Sequence, residues 1–274
     1  MKKKTFGANL YTVLMMVFLY APILVLVLFS FNSGRSTSVF EGFSLKWYAE
    51  LFRDAATLTA FKNSMIIAVV SSVISTVMGT AAATAIFRYK NKWFRSAVLT
   101  TTNIPMMNPE IVTGISMMLL FVFIGSLFGK TGTLGFTTLL IAHITFELPY
   151  VILNVLPKLR QTDPHLAEAA QDLGCTPVQA FFKVVIPSIM PGIISGLVMA
   201  FTLSVDDFII SYFVSGTNSQ TLPIRIFSMT KRRVTPDMYA LSTLVFLAIL
   251  VLLVISNTIS ARGDKKNKKG GANK

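Results

Sequence analysis

The sequence predicts an all-α integral membrane protein with six transmembrane helices. Hydrophobic residues make up 53% of the 274-residue chain and charged residues only 14%. The apolar residues also gather into long runs, and a helix needs about 20 of them in a row to cross a bilayer. This combination is atypical of a soluble domain.

Six segments have the length and composition of a membrane span. The first follows three lysines but lacks a small-x-small cleavage site, so we expect a retained helix rather than a signal peptide. The third is too long for one simple crossing and contains Pro105 and Pro109. In order, the segments run approximately over Leu10–Phe31, Met65–Phe87, Ala97–Phe128, Thr133–Val155, Ser188–Val214 and Met238–Ser260.

The positions of lysine and arginine predict how the chain is oriented. Cytosolic loops of membrane proteins are enriched in these residues. With a cytosolic N-terminus, sixteen of the 25 basic residues fall inside and nine outside. We therefore expect a cytosolic segment 1–9, a membrane domain 10–260 and a basic cytosolic tail 261–274. The basic cluster Lys231–Arg233 would lie outside, and its role stays open.

Charge and cysteine content narrow the function classes. The net charge is +13, but the basic residues flank apolar spans instead of forming a folded basic face, which argues against a nucleic-acid partner. Cys175 is the only cysteine, so an internal disulfide and a cysteine-rich metal site are excluded. The nearest approach to a phosphate-binding loop, Gly125–Thr131, has three residues between its glycines where four are needed. The sequence thus predicts no cofactor, no metal and no ATPase activity.

Residues 163–187 form a polar segment between two apolar spans. Asp163–Pro164 and Thr176–Pro177 each have the N-cap-then-proline pattern that starts a helix. Gly174 suits a left-handed turn after the first helix, and Pro187 is expected to limit the second. The pattern predicts two short helices that meet at Gly174 on the cytosolic side. By itself it is equally typical of an ordinary amphipathic loop.

The same segment resembles the EAA loop of ABC-importer membrane subunits. The run EAAQDLG at 168–174, followed by VVIP at 184–187, has the residue types and spacing of that motif. The resemblance implies a type I ABC-importer permease fold, in which the first loop helix is a coupling helix seated in a separate ATPase subunit. It assigns the coupling role to Glu168, Ala169, Ala170, Gly174 and Pro187.

Four acidic residues lie inside the predicted spans, where a charge is costly and usually functional. No lysine or arginine lies deep within a span to neutralise them, so acids that line a path would attract a cation. Glu110 is also suited to a helix N-terminus, and Glu147 to packing beside the Pro149 kink. The other two are Asp206 and Asp207. His143 is expected to be an ordinary packed helix residue.

The adjacent residues Asp206 and Asp207 are expected to have different roles. Adjacent residues lie about 100° apart around a helix, so the two carboxylates do not face one point. Ser204 and Asp207 are three residues apart and share a face, where they are expected to meet a ligand. Asp206 is expected to bind a neighbour or a loop.

Three more stretches resemble the C-type permease subunits of spermidine/putrescine importers: MMNPEIVTGIS at 106–116, AHITFELPYVI at 142–152 and LSVDDFIISYFVSG at 203–216. The resemblance implies polyamine uptake through a substrate pathway formed by Trp47, Glu110, Ser204, Asp206 and Asp207. Trp47 offers a cation–π face, although a tryptophan is more commonly an interfacial anchor. Glu110 departs from the family, which has Asp there, so the preferred amine stays open.

The resemblance also implies partners: a second permease subunit, two ATPase subunits on the cytosolic face and an extracytoplasmic substrate-binding protein, in a bacterial inner membrane. Two alternatives stay open. One is an ABC permease for another ligand, such as ferric iron, thiamine or a cationic amino acid. The other is a secondary cation transporter that uses its buried acids as an ion relay, which would have no use for a coupling loop.

Overall fold

The computed structural model describes residues 6–36, 39–130, 132–163, 165–217, 219–231, 236–251 and 254. Across these residues the chain is helical, and extended pairing is limited to one isolated antiparallel bridge between Asn32 and Phe43. The predicted all-α class is therefore confirmed for the described part of the chain.

The helices follow one another along the chain with short connections. The first six are α1 (Phe6–Phe29), α2 (Lys46–Leu51), α3 (Ala55–Arg88), α4 (Lys92–Met107), α5 (Glu110–Leu127) and α6 (Phe136–Gln161). The next six are α7 (Leu166–Asp172), α8 (Pro177–Ala180), α9 (Ile186–Asp206), α10 (Ile209–Val214), α11 (Leu222–Thr230) and α12 (Pro236–Val251). A π-helical turn, Phe181–Val185, joins α8 to α9.

Five of these helices are long and apolar enough to cross a membrane: α1, α3, α5, α6 and the continuous helix from α8 through α9. Multiple membrane crossings are thus confirmed by length and composition. The helix α12 covers residues 238–251 of the sixth predicted span, and of the remainder only Val254 is described. The count of six stays a prediction.

Two predicted spans are broken in the structure. The long third segment is α4 and α5, separated at Asn108, which is extended (φ −76°, ψ 143°) because a residue that precedes proline avoids the helical region. The fifth segment is α9 and α10, separated at Asp207 (φ −65°, ψ 121°). The interruption expected in the third segment is thus confirmed. A continuous helix over the fifth segment is wrong, because hydropathy reports apolar composition and not helix continuity.

The described residues form two compact units. One contains the described residues up to Leu58 together with Arg225–Leu250, and the other contains those of Thr59–Ile224 together with Val251 and Val254. In the first unit, Arg225 pairs with Asp54 through a 2.8 Å contact between Nη2 and Oδ2.

The second unit is built around α6. This helix packs along α9 and also contacts α4 and α10, while α5 packs on α10. Val151 of α6 is fully buried beside two small residues, Gly79 of α3 and Gly196 of α9. Close approach at small residues is how membrane helices gain packing contact, because lipid provides no hydrophobic drive between them.

We predict that Gly216 is more sensitive to substitution than Gly129. Both glycines have left-handed backbones, with φ of +63° and +66°, so alanine at either position costs about 1–2 kcal/mol of conformational strain. Only at Gly216 would a Cβ also collide with the backbone carbonyl of Leu134, whereas at Gly129 it would meet open space. Such overpacking costs about 1–3 kcal/mol more.

The measurement is the midpoint of thermal denaturation of each purified variant in detergent. Gly216→Ala should lower the midpoint clearly more than the matched control Gly129→Ala. Equal shifts would contradict the close contact between Gly216 and Leu134.

Candidate functional site

A cavity of about 560 Å³ lies beside the two helix breaks in the second unit. Three of the predicted pathway residues line it together: Glu110, Asp206 and Asp207. No lysine or arginine belongs to the described lining, so nothing basic on its wall offsets these carboxylates. Three aromatic rings share the wall, those of Phe146, Tyr150 and Phe208. The cavity is therefore suited to a cation with apolar parts.

The contacts of the two adjacent aspartates differ from those expected from helical spacing. The side chain of Asp207 is only 5% exposed. Its Oδ1 accepts the backbone N–H of Ile210 at 3.2 Å, and its Oδ2 accepts both the N–H and the hydroxyl of Ser211 at 2.7 Å. Asp207 thus satisfies the first N–H groups of α10. Asp206, the last residue of α9, is exposed at the cavity instead.

Glu110 is the first residue of α5, follows Pro109 and is exposed. Its carboxylate lies in the first helical turn, where a negative charge is favourable, so the helix-terminus interpretation is compatible with this position. The same place at the α4–α5 break puts it on the cavity wall. The Glu110 carboxylate therefore lies at the N-terminus of α5 and lines the cavity as well.

Ser204 lies behind the cavity wall in a buried polar cluster. Its Oγ is 2.6 Å from Nδ1 of His143 and 3.3 Å from Oγ of Ser71. His143 is fully buried, and its Nε2 lies 3.0 Å from Oγ of Ser211. The Ser204 hydroxyl thus contacts other protein side chains and does not line the cavity itself.

Glu147 anchors the other end of this cluster. It is fully buried on α6, and its two oxygens accept hydroxyl hydrogens from Ser71 at 2.7 Å and Ser75 at 2.8 Å, both on α3. The sequence predicts only packing for His143, and for Glu147 either an acid on a cation path or packing beside the Pro149 kink. A signal was nevertheless present, because polar residues recur four positions apart on both apolar helices, which places them on one face of each.

Trp47 belongs to the first unit and is 5% exposed. Its indole N–H donates to the backbone carbonyl of Asn32 at 2.6 Å. The ammonium of Lys46 lies 5.2 Å from the centre of its ring. These contacts give Trp47 a structural anchoring role within its unit, and a role on the substrate pathway stays a prediction.

The polar segment 163–187 contains the two predicted short helices. Gly174 is left-handed, with φ of +89°, and it ends α7 as expected. Thr176 caps α8 by accepting the N–H of Gln179, whose side chain accepts the N–H of Thr176 in return. On α7, Glu168 and Ala169 are exposed and Ala170 is buried.

Two details of this segment differ from the expectation. The helix α7 begins at Leu166, after a turn at His165, whose N–H donates to Asp163 at 2.9 Å. Pro164, the expected first helical residue, lies outside the described residues. Pro187 does not end the second helix but lies in the first turn of α9. The preceding π turn, in which Ile186 donates to the carbonyl of Phe181, lets the helix pass a residue that has no N–H.

We predict that Glu168 controls the titration of His165. The His165 Nδ1 lies 2.9 Å from Oε2 of Glu168, and this hydrogen bond, with the charges of Glu168 and Asp163, raises the pKa of His165. The attraction is therefore complete below the ordinary histidine pKa and disappears as pH rises through the raised value. The exposed pair adds little to stability.

Glu168→Gln should return the His165 pKa toward its ordinary value in an NMR titration of the imidazole. The chain has two histidines, so a His165→Gln sample assigns the signal. Glu50→Gln, at an exposed glutamate that is also paired within a short helix, is the control and should leave the pKa in place. An unchanged pKa in Glu168→Gln would refute the pairing.

Known proteins resemble this chain over most of its length. The putrescine transport system permease protein PotI of Escherichia coli K12 is 39% identical over 249 residues, covering 91% of this chain and 89% of the relative. The spermidine/putrescine transport system permease protein PotC of Haemophilus influenzae is 37% identical over 259 residues, covering 94% and 98%.

Solved structures share the fold. A bacterial ABC transporter involved in the import of the acidic polysaccharide alginate contains a chain with a TM-score of 0.72 and 18% identity, covering 94% of both chains. At this identity the likeness concerns the fold alone. Residues 75–269 match the family described as the inner membrane component of binding-protein-dependent transport systems. Because this family match, the similar permeases and the long apolar helices agree, the chain belongs to this family of multi-pass ABC-importer permeases.

Proposed function

We propose that this protein is the membrane-spanning permease subunit of an ATP-driven importer of polyamines such as spermidine and putrescine. The observation that carries the proposal is the cavity that Glu110, Asp206 and Asp207 line without a lysine or arginine in the described wall. A cationic substrate meets unbalanced negative charge there. The names of the curated relatives support the same substrate class.

The cavity chemistry suits a flexible amine with several charges. Its volume of about 560 Å³ lies within the roughly 300–1,000 Å³ of ordinary ligand sites. The exposed carboxylates of Glu110 and Asp206 start one helix and end another, so they are available to different ammonium groups. The aromatic rings on the wall add cation–π attraction and contact the methylene chain between the charges.

The other three pathway residues have different roles in this proposal. Asp207 contributes negative charge at the wall while it holds the start of α10. Ser204 supports that wall from the buried cluster. Trp47 takes part from the connection between α1 and α3, which this orientation places outside the cytosol and in which its N–H binds the Asn32 carbonyl.

The proposed arrangement in the membrane completes the subunit. Residues 10–260 form a domain of six transmembrane helices, with residues 1–9 and the tail 261–274 in the cytosol. The loop 163–187 then faces the cytosol, where α7 docks on an ATPase subunit. Two ATPase chains, a second permease subunit and an extracytoplasmic binding protein complete a bacterial inner-membrane importer. ATP-driven motion enters through the loop and moves the amine between the two permease halves.

Competition for uptake tests the substrate class. Vesicles that carry the whole complex are given radiolabelled spermidine, and putrescine, ferric iron, thiamine or arginine is added in excess. We expect putrescine and unlabelled spermidine to suppress uptake and the other three to leave it unchanged. If native vesicles exclude both polyamines but accumulate one of the other ligands, the substrate assignment is wrong while the permease assignment stands.

A further inference from the structure

A buried chain of hydrogen bonds connects α6 to the cavity carboxylate Asp207. His143 has no exposed surface, and its two ring nitrogens contact serines on different helices, Ser204 of α9 and Ser211 of α10. Ser211 Oγ lies 2.7 Å from Oδ2 of Asp207. One imidazole therefore bridges the break between α9 and α10, at the residue that lines the cavity.

The number of available hydrogens determines the donor and the acceptor in each of these hydrogen bonds. A hydroxyl has a single hydrogen to donate. Ser211 donates its hydrogen to Asp207, so in the 3.0 Å contact between Ser211 and His143 the donor is Nε2–H. The Nδ1 of a neutral imidazole is then an acceptor, and it receives the hydrogen of Ser204 across 2.6 Å.

The other end of the cluster agrees with this assignment. Ser71 gives its hydrogen to Glu147 at 2.7 Å, so it has none left for Ser204. The contact between Ser71 and Ser204 is also the longest of the set, at 3.3 Å. With a neutral His143 that carries its proton on Nε2, each serine hydroxyl donates its single hydrogen in its shortest contact.

We propose that His143 is a positioning residue for the substrate carboxylate Asp207. The inference rests on the proposed function and assigns a part of the site to a residue that does not line the cavity. The Nε2–H group holds the Ser211 hydroxyl toward Asp207, which fixes that carboxylate against the start of α10. The same contacts fix the end of α9, and so the place of Asp206 at the cavity.

Paired substitutions test this inference, because the amides of asparagine and glutamine replace different ring nitrogens. Glutamine places its N–H group near the position of Nε2 and keeps the donor to Ser211. Asparagine reaches only the position of Nδ1 and loses it. In vesicles carrying the complete complex, His143→Asn should raise the KM for spermidine uptake about tenfold, with Vmax preserved. His143→Gln should stay within about threefold of the native KM.

Asn154→Ala is the matched control. It removes a different contact between α6 and α9, the 3.0 Å hydrogen bond from Ser195 to Asn154, and should leave the KM unchanged. The amount of assembled complex is measured in every sample, because a merely structural histidine would lower Vmax with assembly and leave the KM alone.

Three results would overturn the inference. The first is a native KM in His143→Asn. The second is an equal rise in KM for the asparagine and glutamine variants. The third is a fall in Vmax that follows the loss of assembled complex. If native vesicles do not transport spermidine at all, the proposed function fails first and this inference fails with it.

Discussion

Replacing Asp206 by asparagine should reduce spermidine uptake at subsaturating concentration by about 10- to 100-fold. Asp206 is the exposed aspartate at the cavity, and a hydrogen bond that involves a charge contributes about 1.5–3 kcal/mol. Each 1.4 kcal/mol corresponds to a factor of ten in binding. Asp206→Glu keeps the charge and should retain most of the uptake. The measurement is the initial rate of uptake into vesicles, normalised to assembled complex.

The control for this result is Glu50→Gln, which removes an exposed carboxylate in α2. It should leave uptake at the native rate. Uptake that is equal in Asp206→Asn and the native protein would remove Asp206 from the pathway. Loss of assembled complex in Asp206→Asn would instead give this residue a structural role and contradict its assignment to the substrate.

Replacing Glu168 by alanine should lower the number of amines transported per ATP hydrolysed by about tenfold or more. The side chain of Glu168 is 72% exposed and pairs with His165, which is also exposed, so the fold of the subunit has little need of it. The proposed docking gives Glu168 a donor on the ATPase subunit, and losing one charged hydrogen bond of about 1.5–3 kcal/mol there would weaken the coupling. Thermal stability of the isolated subunit should hardly change.

Uptake and ATP hydrolysis are measured on the same vesicles for this test. The matched control is Glu50→Ala, which removes a glutamate that is also paired within a short helix. It should keep the native ratio of transport to hydrolysis. If Glu168→Ala transports the native number of amines per ATP hydrolysed, the Glu168 carboxylate has no part in coupling. The helical geometry of segment 163–187 would then be the only support for a coupling role.

Local features of the fold were predictable because neighbouring residues determine them. The Thr176 cap and the left-handed Gly174 depend on backbone chemistry within a few positions, and the structure confirms both. The apolar composition of the long helices likewise predicted the membrane class. The bypass of Pro187 was not predictable from the proline alone, because it depends on the π turn that precedes it.

The site was only partly predictable, because it depends on where the helices break and what then packs together. Spacing on an unbroken helix paired Ser204 with Asp207 as ligand residues. The break at Asp207 turns that carboxylate toward the first N–H groups of α10 and leaves Asp206 exposed. The role of His143 depends on serines from α9 and α10, and no sequence spacing connects those positions.

ATP-driven accumulation of spermidine and putrescine by the reconstituted complex tests the central claim most directly. Sealed vesicles would contain this chain, its second permease and ATPase partners, ATP on the cytosolic side, and the binding protein with labelled amine on the other. The proposed function predicts that both amines accumulate above their external concentration, only when ATP is hydrolysed. Hydrolysis of ATP without entry of either amine, or entry driven by a membrane potential without ATP, would contradict it.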